Sequence, residues 1–104
     1  MAIGQTVPQK YNAVVVGQGT TAVLNITAAT VVKPVGGRVA KVSVLVGGSA
    51  VGAVHNCATT GAAAAANQVA VVPDTEGVYD IDFPCSAGIV VVPGTGQTLA
   101  VSYA

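Results

Sequence analysis

The side chains best suited to chemistry in this sequence are His55, Cys57 and Cys85, with Asp80 and Asp82 as a second group. Imidazole and thiolate are zinc ligands, and residues two apart on a strand share a face, so His55 and Cys57 would point the same way. A structural zinc site draws four such ligands, commonly from paired C-x-x-C or H-x-x-H elements, and neither element occurs. No metal is therefore expected. The default for Cys57 and Cys85 is two reduced, mostly buried thiols. A Cys57–Cys85 disulfide is the alternative, which an even count of two does not favour without a secretory context. A Cys57–His55 nucleophile pair on one sheet face implies no shaped pocket. Ser43, Ser49, Ser86 and Ser102 share a single histidine. Asp80 and Asp82, also two apart, would suit paired carboxylates or Ca²⁺, but read more simply as a solvated face. No catalytic residue, no cofactor and no enzymatic activity are expected.

Two glycine loops resemble nucleotide-binding motifs and fail on context. Val14-Val15-Val16-Gly17-Gln18-Gly19-Thr20-Thr21-Ala22 has the G-x-G-x-x-A spacing after an apolar run. That motif needs a helix start beneath the pyrophosphate and an acid about 20 residues on. Here Val23-Leu24-Asn25-Ile26-Thr27 favours strand, and no acid precedes Asp74. Pro93-Gly94-Thr95-Gly96-Gln97-Thr98 lacks the lysine of a phosphate loop and reads as a turn. Asn25-Ile26-Thr27 is formally a glycosylation sequon, without meaning unless the chain is secreted.

The elements that would carry these residues are short strands. Residues 1–10 read as an extended arm, because Gly4 and Pro8 discourage helix. Residues 11–104 read as a single β domain, opening with a strand over Tyr11–Val16. Residues 20–32 suggest two more strands. In 38–46, Ala40, Val42, Val44 and Val46 alternate with Val39, Lys41, Ser43 and Leu45, which predicts a half-buried strand with an apolar face. Gly47-Gly48 predicts a hairpin returning through 50–58. At most one short helical turn is expected, near residues 61–67, since the Ala62–Ala66 run is far too short for a stable helix. Further strands are predicted over 69–72 and 78–83, the latter ended by Pro84, and in a terminal hairpin closed by residues 93–96. Val42, Val44, Ile81, Phe83, Val91, Leu99 and Val101 are the expected core. The fold class is all-β: a small β-sandwich (jelly-roll or Ig-like) or barrel of about seven to nine short strands.

The 104 residues suit one domain. Hydrophobic residues make up 52% and charged residues only 8%, against about 25% charged in an average domain. So few charges imply an exterior partly buried against copies of the chain or a larger partner. Zero net charge points to no nucleic acid and no anionic membrane. No uninterrupted apolar run reaches the roughly 18 residues a spanning helix needs, and Met1–Lys10 lacks the pattern of a secretory signal. All four bases (Lys10, Lys33, Arg38, Lys41) precede all four acids (Asp74, Glu76, Asp80, Asp82). They pair either between subunits or as neighbours within one fold.

Several segments carry a resemblance. Ala64-Ala65-Ala66-Asn67-Gln68-Val69-Ala70, Val72-Pro73, Gly77-Val78-Tyr79, Gly88 through Thr98 and Val101-Ser102-Tyr103, with the earlier Gly37–Val44, resemble small tailed-bacteriophage virion proteins of the capsid-decoration (cement) and head-fibre kind. The likeness spans roughly three-quarters of the chain. It implies a structural protein on the virion's capsid surface, made in the host cytoplasm, stabilising the shell as a homo-oligomer, with the major capsid protein and copies of itself as partners. The alternative is a fibre or receptor/glycan-binding β module. Ile3, Val7 and Pro8 of the arm are the expected capsid or subunit contacts, because an extended apolar segment can add to a partner's groove or sheet edge.

Overall fold

Valine dominates segments punctuated by glycine and proline, and these segments become strands. The computed structural model describes residues 21–104. The expected arm, the strand over Tyr11–Val16 and the Gly17–Gly19 loop lie outside these residues. Eight strands follow in order: β1 (Thr21–Ile26), β2 (Thr30–Lys33), β3 (Gly37–Val46), β4 (Gly52–His55), β5 (Gln68–Val72), β6 (Gly77–Cys85), β7 (Ile89–Val92) and β8 (Thr98–Tyr103). They form two antiparallel sheets of four, ordered β1-β8-β3-β6 and β2-β7-β4-β5. The pairings β1·β8, β2·β7, β3·β6 and β4·β5 are those of one long hairpin rolled onto itself. The wrap is closed by β3·β8 and β4·β7. This strand order is a jelly roll, the two-sheet, double Greek-key solution to burying eight strands. Of the sandwich and barrel alternatives, the connectivity selects this one.

Rolling the chain changes what its glycine turns do. The expected hairpin at Gly47-Gly48 does not form: β3 and β4 lie in different sheets, and Gly47-Gly48 carries the chain across. The expected terminal hairpin fails likewise, since β7 and β8 also lie in different sheets. These two crossovers pack on each other. Ser49 N–H donates to Thr95 O at 2.9 Å. A Cβ on Gly48 would collide with Thr95 O and one on Gly94 with Ala50 O, and Gly48 has a φ of +71°. Glycine is needed here for backbone contact between crossovers rather than for a two-residue hairpin.

The core lies between the sheets. Val42, Val44, Val91, Leu99 and Val101 are buried as expected, joined by Ile26, Val39, Val54, Val72, Cys85 and Ile89. Alternation alone misplaces three residues. Val39, expected on the polar face, is fully buried, because an extra residue at Ala40 in the β3·β8 register turns both Val39 and Ala40 inward. Val46, at the far end of β3, is exposed. Phe83, expected in the core, is 44% exposed, whereas Ile81 packs partly buried against it. The cause is a bulge: Lys41 pairs with Asp80 but Val39 with Phe83, so β6 carries one residue more than β3 there, and Asp82 adopts φ +49°. Pro84 does not end the strand, which runs on to Cys85. It sits on the edge of its sheet, where a missing N–H is tolerated. Residues 56–67 form two single 3-10 turns, Thr60–Ala62 and Ala65–Asn67, where one turn is expected.

Candidate functional site

His55 ends β4 on the outer face of the β2-β7-β4-β5 sheet, in register with Val90 and, across it, Val31. The loop from Asn56 to Asn67 folds back over this face. His55 Nδ1 lies 2.9 Å from Asn67 Oδ1 and 3.0 Å from Ala64 O. Asn67 is oriented by two further bonds: its Nδ2 donates to Ala62 O at 2.9 Å, and its Oδ1 accepts from Ala64 N–H at 3.0 Å. Both neighbours of His55 Nδ1 are therefore acceptors, and that nitrogen carries the proton. His55 is 7% exposed, and Val90 is fully buried although it stands apart from the inter-sheet core. The histidine fastens a loop over its own sheet.

Cys57 and Cys85 are both buried and free. Cys57 Sγ lies 3.4 Å from Thr59 O and Cys85 Sγ 3.9 Å from Phe83 O. Burial, and secondarily the Cys57 thiol, pushes the Cys85 thiol above its ordinary range. A raised thiol stays protonated at neutral pH and is a poor nucleophile and a poor ligand. Asp80 and Asp82 engage different cations of β3. Asp82 Oδ1 accepts from Arg38 Nε at 2.8 Å, and Asp80 Oδ1 lies 3.8 Å from Lys41 Nζ. The separation of bases and acids along the chain is thus closed, for these four residues, between neighbouring strands of one molecule. Among the described residues no three His, Cys, Asp or Glu side chains converge as a metal cluster would require.

The glycine loops carry no helix start either. Gly17 and Gly19 lie outside the described residues, and the segment after them is β1, a strand. Residues 93–96 are the β7–β8 crossover. Ile3, Val7 and Pro8 also lie outside the described residues. No helix among the described residues is long and apolar enough to cross a membrane.

A surface that residue-type reasoning misses is the outer face of the β1-β8-β3-β6 sheet. The register lays out two rows across all four strands. Ala22, Ser102, Lys41 and Asp80 form one. In the other, Ser43 is flanked by Ala100 and Val78, and Leu24 lies on β1 beside Ala100. Leu24 and Val78, on the two edge strands, are 69% and 66% exposed. Between them the small side chains of Ala22, Ala100, Ser43 and Ser102 leave a shallow groove of about 210 Å³. Ser102 Oγ accepts from Lys41 N–H at 3.2 Å, holding the bulged part of β3 against β8. Lys41 and Ser43 signal an outward face in the sequence. Their apolar neighbours come from β1, β6 and β8, whose positions depend on a strand order that no local pattern encodes.

Comparison with protein-family models, with curated proteins and with solved structures finds no match to this chain.

Proposed function

We propose that this chain is a structural, non-catalytic protein of a tailed-phage virion, one that docks on the outside of the capsid and stabilises it. The observation that carries this reading is the character of the exterior. Arg38, Lys41, Asp80 and Asp82 are spent on one another, and Glu76 Oε2 accepts from Gly47 N–H at 3.2 Å. Meanwhile Leu24, Val35, Val51, Val71 and Val78 are all more than half exposed. A surface that pairs four of its few charges with one another and presents scattered apolar side chains suits burial against protein better than life as a free monomer. The groups with chemical potential, His55, Cys57 and Cys85, are tied into loops and core. A jelly roll hosts capsid proteins and lectins alike, so the fold does not choose between them. The aromatic residues do bear on the choice. Sugar sites use exposed aromatic platforms, usually several together. Here Tyr79 and Tyr103 pack half-buried against the core, the Tyr79 hydroxyl donates to Thr75 O at 2.7 Å, and Phe83 is the one exposed aromatic ring among the described residues.

In this reading Ile3, Val7 and Pro8 contact the major capsid protein or a neighbouring subunit. The test is cosedimentation of the purified full chain with undecorated capsids of the phage or prophage that encodes it. Saturable retention on capsids, reduced when residues 1–9 are deleted and circular dichroism still reports the strand content of the full chain, is the expected result. Absence of retention by the full chain would remove the capsid reading. Full retention by the truncated chain would remove the arm from it.

A further inference from the structure

We propose that the outer face of the β1-β8-β3-β6 sheet is the interface between two copies of this chain, packed face to face about a two-fold axis. The inference stands apart from the capsid reading, and three observations carry it.

The first is which surfaces are open. On the other sheet's outer face the 56–67 loop closes over His55, which is 7% exposed, so that face is open only toward its edge strands, at Val31 and Val71. The four edge strands all depart from regular pairing, with register shifts in β1·β8, β2·β7, β3·β6 and β4·β5. Such bulges twist an edge away from strand addition. Copies are thereby steered from edge-to-edge joining toward a face, and Leu24 and Val78, the most exposed large apolar side chains among the described residues, both stand on this one.

The second is charge. Lys41 and Asp80 are the charged side chains in the two rows of this face, one of each sign and 3.8 Å apart. Nucleic acid or an anionic membrane would call for net positive charge, and a basic or acidic partner for the opposite sign. A corner with equal and opposite charges is instead complementary to itself. A two-fold axis brings Lys41 of each copy toward Asp80 of the other, so an isologous interface gains a four-charge cluster without like-charge opposition.

The third is shape. Leu24 and Val78 stand on the edge strands, three inter-strand steps apart, roughly 14 Å at the usual spacing. The floor between them is Ala100 and Ser43. A face with raised apolar rims and a small-residue trough fits its own copy when the rim of each enters the trough of the other. The aligned packing of two sheets at about 10 Å is the same geometry that forms the interior of the sandwich.

The experiment is sedimentation velocity of the full chain over a range of concentrations, with charge-swap variants. The wild type is expected to dimerise. Lys41→Asp and Asp80→Lys should each weaken the dimer by about tenfold or more, since each places like charges together. The double variant Lys41→Asp/Asp80→Lys should restore affinity to within a few-fold, because exchanging both signs preserves self-complementarity. A heterologous partner would not give that rescue. Ala100→Arg, which fills the trough, should yield monomer, and thermal melts report whether each variant is folded. A wild type that stays monomeric at about 100 µM overturns the proposal. So does a dimer indifferent to both Ala100→Arg and the charge swaps, which would place the contact elsewhere. Dimerisation only after deletion of residues 1–20 also overturns it, and would make that segment the occupant of the face.

Discussion

Arg38 grips Asp82 twice: Nε donates to Oδ1 at 2.8 Å, and Nη2 donates to the backbone oxygen at 3.2 Å. The two residues lie 44 apart in sequence, on adjacent strands β3 and β6. Asp82 is also the bulge residue, held at φ +49°, where aspartate is better tolerated than most side chains. The ion pair therefore clamps a backbone irregularity that turns Phe83 outward.

From this contact the first prediction follows. Both partners are substantially exposed, 39% and 62%, so the charge attraction alone is worth little, about 0–1 kcal/mol. Arg38→Ala should lower stability by no more than about 1 kcal/mol. Asp82→Gly, which loses the pair but relieves the backbone, should be close to neutral. Asp82→Val, a β-branched residue forced into the left-handed region, should cost more than either. Urea denaturation of the three variants gives the order, and a valine variant as stable as the glycine one would contradict it.

The second prediction reverses what alternation suggests about the core. Leu99 is fully buried on β8, so Leu99→Ala should cost about 2–5 kcal/mol. Phe83, 44% exposed, should lose clearly less on truncation to alanine, below the roughly 3–5 kcal/mol of an emptied aromatic core site. Thermal unfolding of the two variants side by side decides this. An equal loss would mean that Phe83 is packed more deeply than its exposure indicates.

These residues also mark how far the sequence can be read. The alternating segments around Val42, Val44, Leu99 and Val101 correctly announce strands and their buried faces, because period-two burial is a local property of the chain. Phe83 and Val39 escape because bulges shift the phase, and a bulge is set by the register of a distant partner strand. Gly47-Gly48 and Pro93–Gly96 escape for a related reason. A glycine turn looks the same whether it closes a hairpin or crosses between sheets, and only the pairing of β3 with β6 and β8 distinguishes the two. For the site, residue types pointed to His55, Cys57 and Cys85, which the fold consumes as fasteners. The apolar groove beside Ser43 was illegible because Leu24, Ala100 and Val78 come together only after rolling.

A third prediction concerns alkaline pH. Cys85 is buried and its thiol is pushed above the ordinary value of 9.0. The folded chain therefore holds that proton more tightly than the unfolded one. The stability linked to it is fully present below the unfolded thiol's pKa and is lost as pH rises from there through the folded value. Unfolding free energy should fall above about pH 9 in the wild type, and the fall should be shallower in Cys85→Ala. That variant will start lower at neutral pH because of the cavity it leaves. Identical alkaline slopes for the two proteins would show that Cys85 does not carry the effect.

The last prediction concerns Gln97, which is 1% exposed at the meeting of three chain crossings. Its Nε2 donates to Pro73 O at 2.8 Å, and its Oε1 accepts from Gly94 N–H at 2.9 Å. Gly52 completes the site, since a Cβ there would stand 2.6 Å from Gln97 Oε1. Gln97→Leu keeps the volume but leaves Pro73 O and Gly94 N–H without this partner in a closed space, at a cost of about 1–3 kcal/mol for each group left unsatisfied. Gln97→Glu separates hydrogen bonding from packing more sharply. A carboxylate can still accept from Gly94 N–H, but it faces Pro73 O with no proton to donate. The protonated acid, in contrast, can restore that bond. Burial and the opposed carbonyl both raise the folded-state pKa of the glutamate above its unfolded value of about 4.3. Its protonated form then contributes stability that is fully present below that unfolded value and is lost as pH rises through the folded one. Gln97→Glu should therefore be strongly destabilised at pH 7 and recover toward the wild type as the pH is lowered, while Gln97→Leu should show no such recovery. Urea titrations of the three proteins at pH 7 and pH 4.5 measure this. A glutamate variant with the same deficit at both values would mean that the carboxyl has turned away from Pro73 and reached solvent.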